Sequence, residues 1–382
     1  MSEIDFSDIK PLETAELPQA YDELLNDPTF QKVINFVFPQ VPFDVIAGTM
    51  RKCKSNIEFQ VAFCKPFLEG IVQKHSDGLT GDFSAIKPVP EMQNYTYISN
   101  HRDIVLDSGL LDLWFVQHEL PTVEIAIGDN LLIYPWIKTL VRINRSFIVT
   151  RSGGLHDMLQ ASKKLSTYIH HAINKKKSAI WIAQREGRSK DSSDNTQESI
   201  LKMFAMTGEG SPRQRLKAIR LVPLSISYEY DPCDWLKAKE FQQKRDIDGF
   251  KKTQDDDLIN MKTGIFGHKG RVHYQAAPCI NDFLDTLSED MPKNEFYTTV
   301  AKHIDHAIYA NYRLYPSNYI ALDLLEGSNT HCNQYTIEER KAFEHYLEQQ
   351  LGKIQLTNKD DTFLLHKMIE MYANPAMHKL SL

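Results

Sequence analysis

Two hydrophobic periods alternate along the chain and divide it into three stretches. Up to about residue 85 apolar positions recur at helical spacing, over Tyr21 to Phe38 and then through IEFQVAFCKPFLEGIVQK (57–74), before the turn-rich HSDGLTGDFS (75–84). From Lys87 to Leu284 short β-rich runs take over: YTYIS (95–99), VEIAIG (123–128), SFIVTR (146–151), SAIWIAQ (178–184), IRLVPLSISYEY (219–230) and RVHYQA (271–276). Amphipathic stretches separate them, at Ser108 to His118, Pro135 to Ile143, His156 to Asn174 and Thr196 to Met206. Strands spaced by helices predict an α/β fold, a mostly parallel sheet flanked by helices on both faces. Helical periods return near the C-terminus, at Val300, Ile304, Ala307 and Ile308 and again over Lys341 to Leu351. The expected organisation is therefore an N-terminal helical region (1–85), an α/β domain (86–285) and a C-terminal helical region (286–382). Residues 237–264, charged and poor in apolar positions, read as an exposed insertion or a helical excursion whose charges form a solvated face.

Composition narrows the class. With 382 residues, 42% of them hydrophobic, the chain can bury a large core, and a formal charge of −6 argues against a nucleic-acid partner. The five cysteines include no C-x-x-C pair and read as reduced thiols, which points to the cytoplasm. The N-terminus lacks the basic and apolar regions of a signal peptide, and apolar runs such as LLIYPWI (131–137) fall well short of the roughly 20 residues that span a bilayer. Any membrane contact is expected to be peripheral, at the inner face.

The candidate chemistry starts at SNHRDIVLDS (99–108). His101 stands between a predicted strand and a predicted helix, where α/β folds present reactive groups at the carboxyl edge of the sheet. A neutral imidazole there takes a proton from a hydroxyl if a carboxylate, Asp103 or Asp107, holds its other nitrogen. The competing reading is an ordinary capped turn, with Asp103 or Ser108 as the cap. Downstream, no acidic residue occurs between Asn130 and His156, whereas Lys138, Arg142, Arg145 and Arg151 do. A helix running one turn past Ile143 would set Lys138, Arg142 and Arg145 on one face, and Arg151 ends a strand; phosphate suits such donors. The segment REGRSKDSS (185–193) follows the apolar SAIWIA and sets Glu186, Gly187 and Arg188 at the same edge, unless it is merely a solvated loop. The pairs His170 with His171 and His268 with His273 lack the carboxylates of a metal site, and none is expected.

Read in order, these segments resemble the glycerolipid acyltransferases that act on 1-acylglycerol-3-phosphate and glycerol-3-phosphate. NHRDIVLD looks like that family's first block, INRSFIVTR (143–151) its second, REGRS (185–189) its third and LVPLSISYE (221–229) its fourth. Two departures stand out: the carboxylate after His101 comes one position late, and Arg185 replaces the third-block Pro, with one residue missing between Gly187 and Arg188. The resemblance implies acyl transfer in phospholipid biosynthesis, from acyl-CoA or acyl carrier protein to the hydroxyl of a lysophospholipid, most simply 1-acylglycerol-3-phosphate. It makes His101 the general base and Asp107 (or Asp103) its partner, and Arg145, Arg151, Glu186, Gly187 and Arg188 the acceptor-binding residues. No resident cofactor and no protein nucleophile is implied, and the chain has no G-x-S-x-G. Acyl-chain contact would fall on residues 30–48 or LLIYPWI, both of which also fit core helices. Alternatives are an O-acyltransferase for an acylated amino-acid lipid, a thioesterase, or a non-catalytic lipid-binding protein on the same scaffold.

Overall fold

The structure is a computed structural model that describes residues 4–87, 94–151 and 153–382. Seven strands form one sheet in the order β1-β7-β6-β2-β5-β3-β4: β1 (Leu79–Asp82), β2 (Thr96–Ser99), β3 (Glu124–Gly128), β4 (Ser146–Val149), β5 (Ile180–Ala183), β6 (Leu221–Tyr228) and β7 (Val272–Ala276). Strands β2 to β6 run parallel, while β7 lies antiparallel to β6 and carries β1 parallel to itself. All residues of β2 and all eight of β6 are buried, as expected of central strands covered on both faces.

Side chains alternate between two cores. Ile98, Ile180 and Ile182 enter one with helices Leu155–His171, Glu198–Phe204 and Lys293–Ala310, whereas Tyr97 and Trp181 enter the other with helices Lys65–His75 and Leu106–Gln117. The helix after β2 thus covers one face and the helix after the adjacent β5 covers the other. Their connections part at the carboxyl ends of β2 and β5, and such a topological switch point opens a crevice there.

The structure departs from the sequence reading in several places. β1 falls inside the stretch read as helical and turn-rich, up to residue 85, because a four-residue edge strand with a glycine carries no period-2 signal. Gly81 is required there, since a Cβ would stand 2.7 Å from the Trp114 indole. Residues 237–264 are mostly helical, as one of the two readings expected, and exposed over 244–249, but they are not solvated throughout. They form most of helices Asp234–Asp246 and Gln254–Phe266, in which Asp234, Lys237, Ala238, Glu240, Gln242, Asn260 and Gly264 are buried. Lys237, Glu240 and Asn260 bond to Arg102, Lys190 and Arg188 of the α/β unit, and Asp234 and Gln242 to the C-terminal helical region; a hydrophobicity pattern does not register that kind of burial. Residues 30–48 divide: Phe30, Ile34 and Ile46 pack in a helical cluster with Ile143, while Phe36, Val41 and Val45 are exposed. Among the described residues no helix is long and apolar enough to cross a membrane.

Candidate active site

The site is built from the end of β2. Asn100 continues the sheet with its side chain, donating from Nδ2 to the Ile226 carbonyl (2.9 Å) and accepting the Ile226 N–H at Oδ1 (2.8 Å). That clamp anchors the chain to β6 as it turns toward helix Leu106–Gln117. Asp103 caps this helix, its Oδ1 accepting the N–H groups of Val105 (2.8 Å) and Leu106 (2.7 Å). Asp107 lies in the first turn, fully buried, and its Oδ2 accepts from His101 Nδ1 (2.7 Å) and from the Arg102 N–H (2.6 Å).

The choice between two aspartates is therefore resolved by geometry: Asp107 reaches the imidazole and Asp103 caps. The extra residue relative to the family spacing is taken up in the turn before Leu106. With the Nδ1 proton directed at a carboxylate, Nε2 is the basic nitrogen, and it has no hydrogen bond among the described residues. The side chain is 14% exposed, and its ring meets the Trp181 indole at 5.7 Å, edge to face. Burial, reinforced by Asp107, pushes the Asp103 carboxyl above its usual range. Burial also brings the Lys269 ammonium down to about 8, against the opposing pull of Asp103.

The third block leaves β5 beside this turn. Gly187 has φ +68°, a left-handed conformation with open space around it, so its glycine serves the backbone rather than packing. Arg188 turns inward and is only 9% exposed. Its Nη2 donates to Asn260 Oδ1 (3.2 Å), and its Nη1 is buried without a partner among the described residues. Glu186 points to solvent, with Oε1 3.6 Å from Nη1 of Arg151, which follows β4 at the same edge. Glu186, Gly187, Arg188 and Arg151 thus gather on the His101 side of the sheet, although β4 lies three strands from β2, roughly 14 Å at ordinary strand spacing.

Arg145 does not join them. It precedes β4, at the amino end, where its Nη1 donates to the Thr122 carbonyl (2.7 Å) and hydroxyl (2.9 Å) and its Nη2 to Ser178 Oγ (2.6 Å). The shared basic face is also absent. Helix Pro135–Ile143 stops before Arg145, and Arg142 is held by the carbonyls of Lys10 (2.9 Å) and Ser7 (2.6 Å).

Several residues of the site gave no sequence signal. Arg102 is buried and paired through both terminal nitrogens with Asp194 (3.1 and 2.6 Å), which also accepts the Tyr312 hydroxyl at 2.5 Å. Lys237, fully buried, donates to the Arg102 carbonyl (3.2 Å) and to Asp231. These contacts tie the His101 turn to the third-block loop, to the chain following helix Lys293–Ala310 and to the 234–246 helix, across separations of about a hundred residues. Among the described residues one group could hold a metal ion, Asp323, Glu326 and His331 in the C-terminal helical region. Asp323 there already accepts the His331 N–H and the hydroxyls of Ser328 and Tyr335.

Three comparisons bear on this geometry. A search of curated proteins finds no match. Among solved structures the chain is similar to the 1-acyl-sn-glycerophosphate (LPA) acyltransferase PlsC from Thermotoga maritima, at 12% identity and a TM-score of 0.37, over 77% of this chain and 95% of that one; so loose a likeness carries no functional argument. Residues 82–227 match the family model described as Acyltransferase, a span that takes in the first three blocks and nearly all of the fourth. Residues 82–227 thus match an acyltransferase domain, and that span carries all but the last two residues of the four blocks.

Proposed function

We propose that the protein moves a fatty acyl group from a thioester, on coenzyme A or acyl carrier protein, to the hydroxyl of a lysophospholipid, 1-acylglycerol-3-phosphate being the acceptor that best fits the charges. The observation that carries the reading is the 2.7 Å contact between His101 Nδ1 and buried Asp107, which leaves Nε2 as a proton acceptor. In this scheme Nε2 takes the acceptor's hydroxyl proton as the oxygen attacks the thioester carbonyl. The tetrahedral adduct collapses, the C–S bond breaks, and the thiolate recovers the proton from the imidazolium. The chain's own nucleophiles take no part.

Arg188 and Arg151 would hold the acceptor phosphate, with Glu186 steadying Arg151 and Gly187 letting the backbone approach. Orientation of this kind contributes several kcal/mol, on the order of 7 in ideal cases. Acyl transfer is assigned to residues 86–285, completed by β1 from the N-terminal region, between helical flanks at 1–85 and 286–382. Exposed Phe36, Val41, Val45 and Tyr134 support peripheral contact with the cytoplasmic face of a membrane, where acyl chains are met.

The test is to supply labelled acyl-CoA or acyl carrier protein with a panel of lyso-acceptors to wild type and to His101→Ala. Lipid product from wild type alone is expected. Thioester hydrolysis at the same rate with and without acceptor would instead identify a thioesterase and overturn the proposal.

A further inference from the structure

Helix Gln254–Phe266 lies outside the matched domain, yet one of its faces completes the site. Asn260 and Gly264, one turn apart and both buried, meet the third and the first block respectively. Asn260 Oδ1 accepts from Arg188 Nη2 at 3.2 Å, while a Cβ on Gly264 would fall well inside contact distance of Asp103 Oδ2, so glycine is what lets the helix close on the His101 turn. Asn260 is itself fixed, its Nδ2 donating to the Asp256 carbonyl (2.7 Å) and its own carbonyl accepting Cys233 Sγ (3.3 Å).

The charges at this sheet edge show why an amide at that position matters. Arg102 is neutralised by Asp194, Arg271 by Glu229 through two short contacts (2.7 Å each), and Arg151 faces Glu186. Arg188 differs from these three. Its bonded partner is neutral, its Nη1 is buried without a partner among the described residues, and Asp103 acts on it only through space while capping the 106–117 helix. A buried cation left in this state costs free energy in the empty protein and recovers it when an anion binds.

Building on the acyl-transfer reading, we propose that Asn260 is a positioning residue of the acceptor site: it fixes one nitrogen of Arg188 without cancelling the charge. The 254–266 helix thereby becomes a wall of the site that selects acceptors bearing a phosphate monoester. A carboxylate at 260 would pair with Arg188 as Asp194 pairs with Arg102 and remove the attraction. An alanine would keep the charge and lose only the brace.

Calorimetric titration of the full chain with sn-glycerol 3-phosphate, and with glycerol as the uncharged control, separates these cases. Wild type should bind the phosphate ester and not glycerol; Asn260→Asp should weaken that binding at least about tenfold and Asn260→Ala about threefold, with unfolding temperatures recorded for both. Asn260→Ala bears on the question even if the aspartate variant does not fold. The proposal is overturned if wild type does not bind glycerol 3-phosphate, or if a folded Asn260 variant binds it as tightly as wild type does. The expected Asn260 dependence in a protein that transfers no acyl group would support the site and sink only the acyl-transfer reading. Transfer that persists while affinity is indifferent to residue 260 would do the reverse.

Discussion

Replacing Asp107 by Asn keeps the side-chain volume and removes the charge from a fully buried carboxylate. Its Oδ2 accepts two hydrogen bonds, from His101 Nδ1 (2.7 Å) and the Arg102 N–H (2.6 Å), and its Oδ1 has no partner among the described residues. An amide has one acceptor oxygen. Seated where Oδ2 lay, that oxygen can accept both bonds with the NH2 at the Oδ1 position, so the ring keeps its tautomer; what is lost is the negative charge that stabilises the imidazolium formed when Nε2 takes a proton. General-base catalysis supplies about 10²- to 10⁴-fold, and a base whose charged form has lost its counter-charge forfeits part or all of it. A fall in kcat of on the order of 10²- to 10⁴-fold is therefore expected, about 3–5 kcal/mol at 1.36 kcal/mol per decade. Because both hydrogen bonds can survive on one oxygen and no cavity forms, stability should change by only about 1–2 kcal/mol. Asp103→Asn is the matched control. An asparagine caps a helix about as well as an aspartate, so this variant should change stability by less than about 1 kcal/mol and lower kcat less than tenfold. Both variants would be assayed with labelled acyl-CoA and 1-acylglycerol-3-phosphate, kcat and KM taken separately, beside thermal unfolding. The reasoning is refuted if Asp107→Asn retains a third or more of wild-type kcat, or if the two variants lose activity equally.

Three further outcomes follow from buried groups. Asp194→Asn leaves the Arg102 guanidinium, itself 6% exposed, without its counter-charge; urea unfolding should show a loss of about 3–5 kcal/mol, and a loss under about 1 would contradict the pairing. Gly264→Ala drives a methyl into Asp103 Oδ2, whose carboxylate is pinned by Val105 and Leu106; kcat about tenfold lower is expected, whereas wild-type kinetics would mean that the helix does not close on the turn. Burial pushes the Asp234 carboxyl up to about 7, against the opposing hydrogen bonds from Tyr346 and Tyr372. Between its unfolded pKa of about 3.9 and 7 the folded form therefore holds more proton, so stability falls as pH rises through that window and levels off above it. Asp234→Asn does not titrate. Its unfolding temperature should gain on wild type from pH 4 to 7, and a pH-independent difference would exclude this ionisation.

How much of this was legible beforehand depended on how local each feature is. β2 to β7 declared themselves as short apolar runs, and β2, β5 and the fourth block fell where YTYIS, SAIWIA and LVPLSISYE lie. β1 did not, because Leu79, Thr80, Gly81 and Asp82 alternate neither in polarity nor in burial. Arg145 was grouped with Arg142 on the expectation of one more helical turn, and the helix ended at Ile143. Its guanidinium then joined the amino end of the sheet, the side opposite His101.

The sequence by itself determined the alternation of strands and helices, the order of the four blocks and the placement of His101 and Arg188 just after strands. These rest on nearest-neighbour periodicity and on chain order, which a linear reading preserves. Tertiary structure decided which aspartate meets the imidazole, since a turn can absorb one residue and the choice is made in ångströms. It also decided that the polar 234–266 helices close the site through Lys237, Asn260 and Gly264. Those contacts join residues about 70 to 160 positions apart through single hydrogen bonds and one missing Cβ, and neither leaves a period in the sequence.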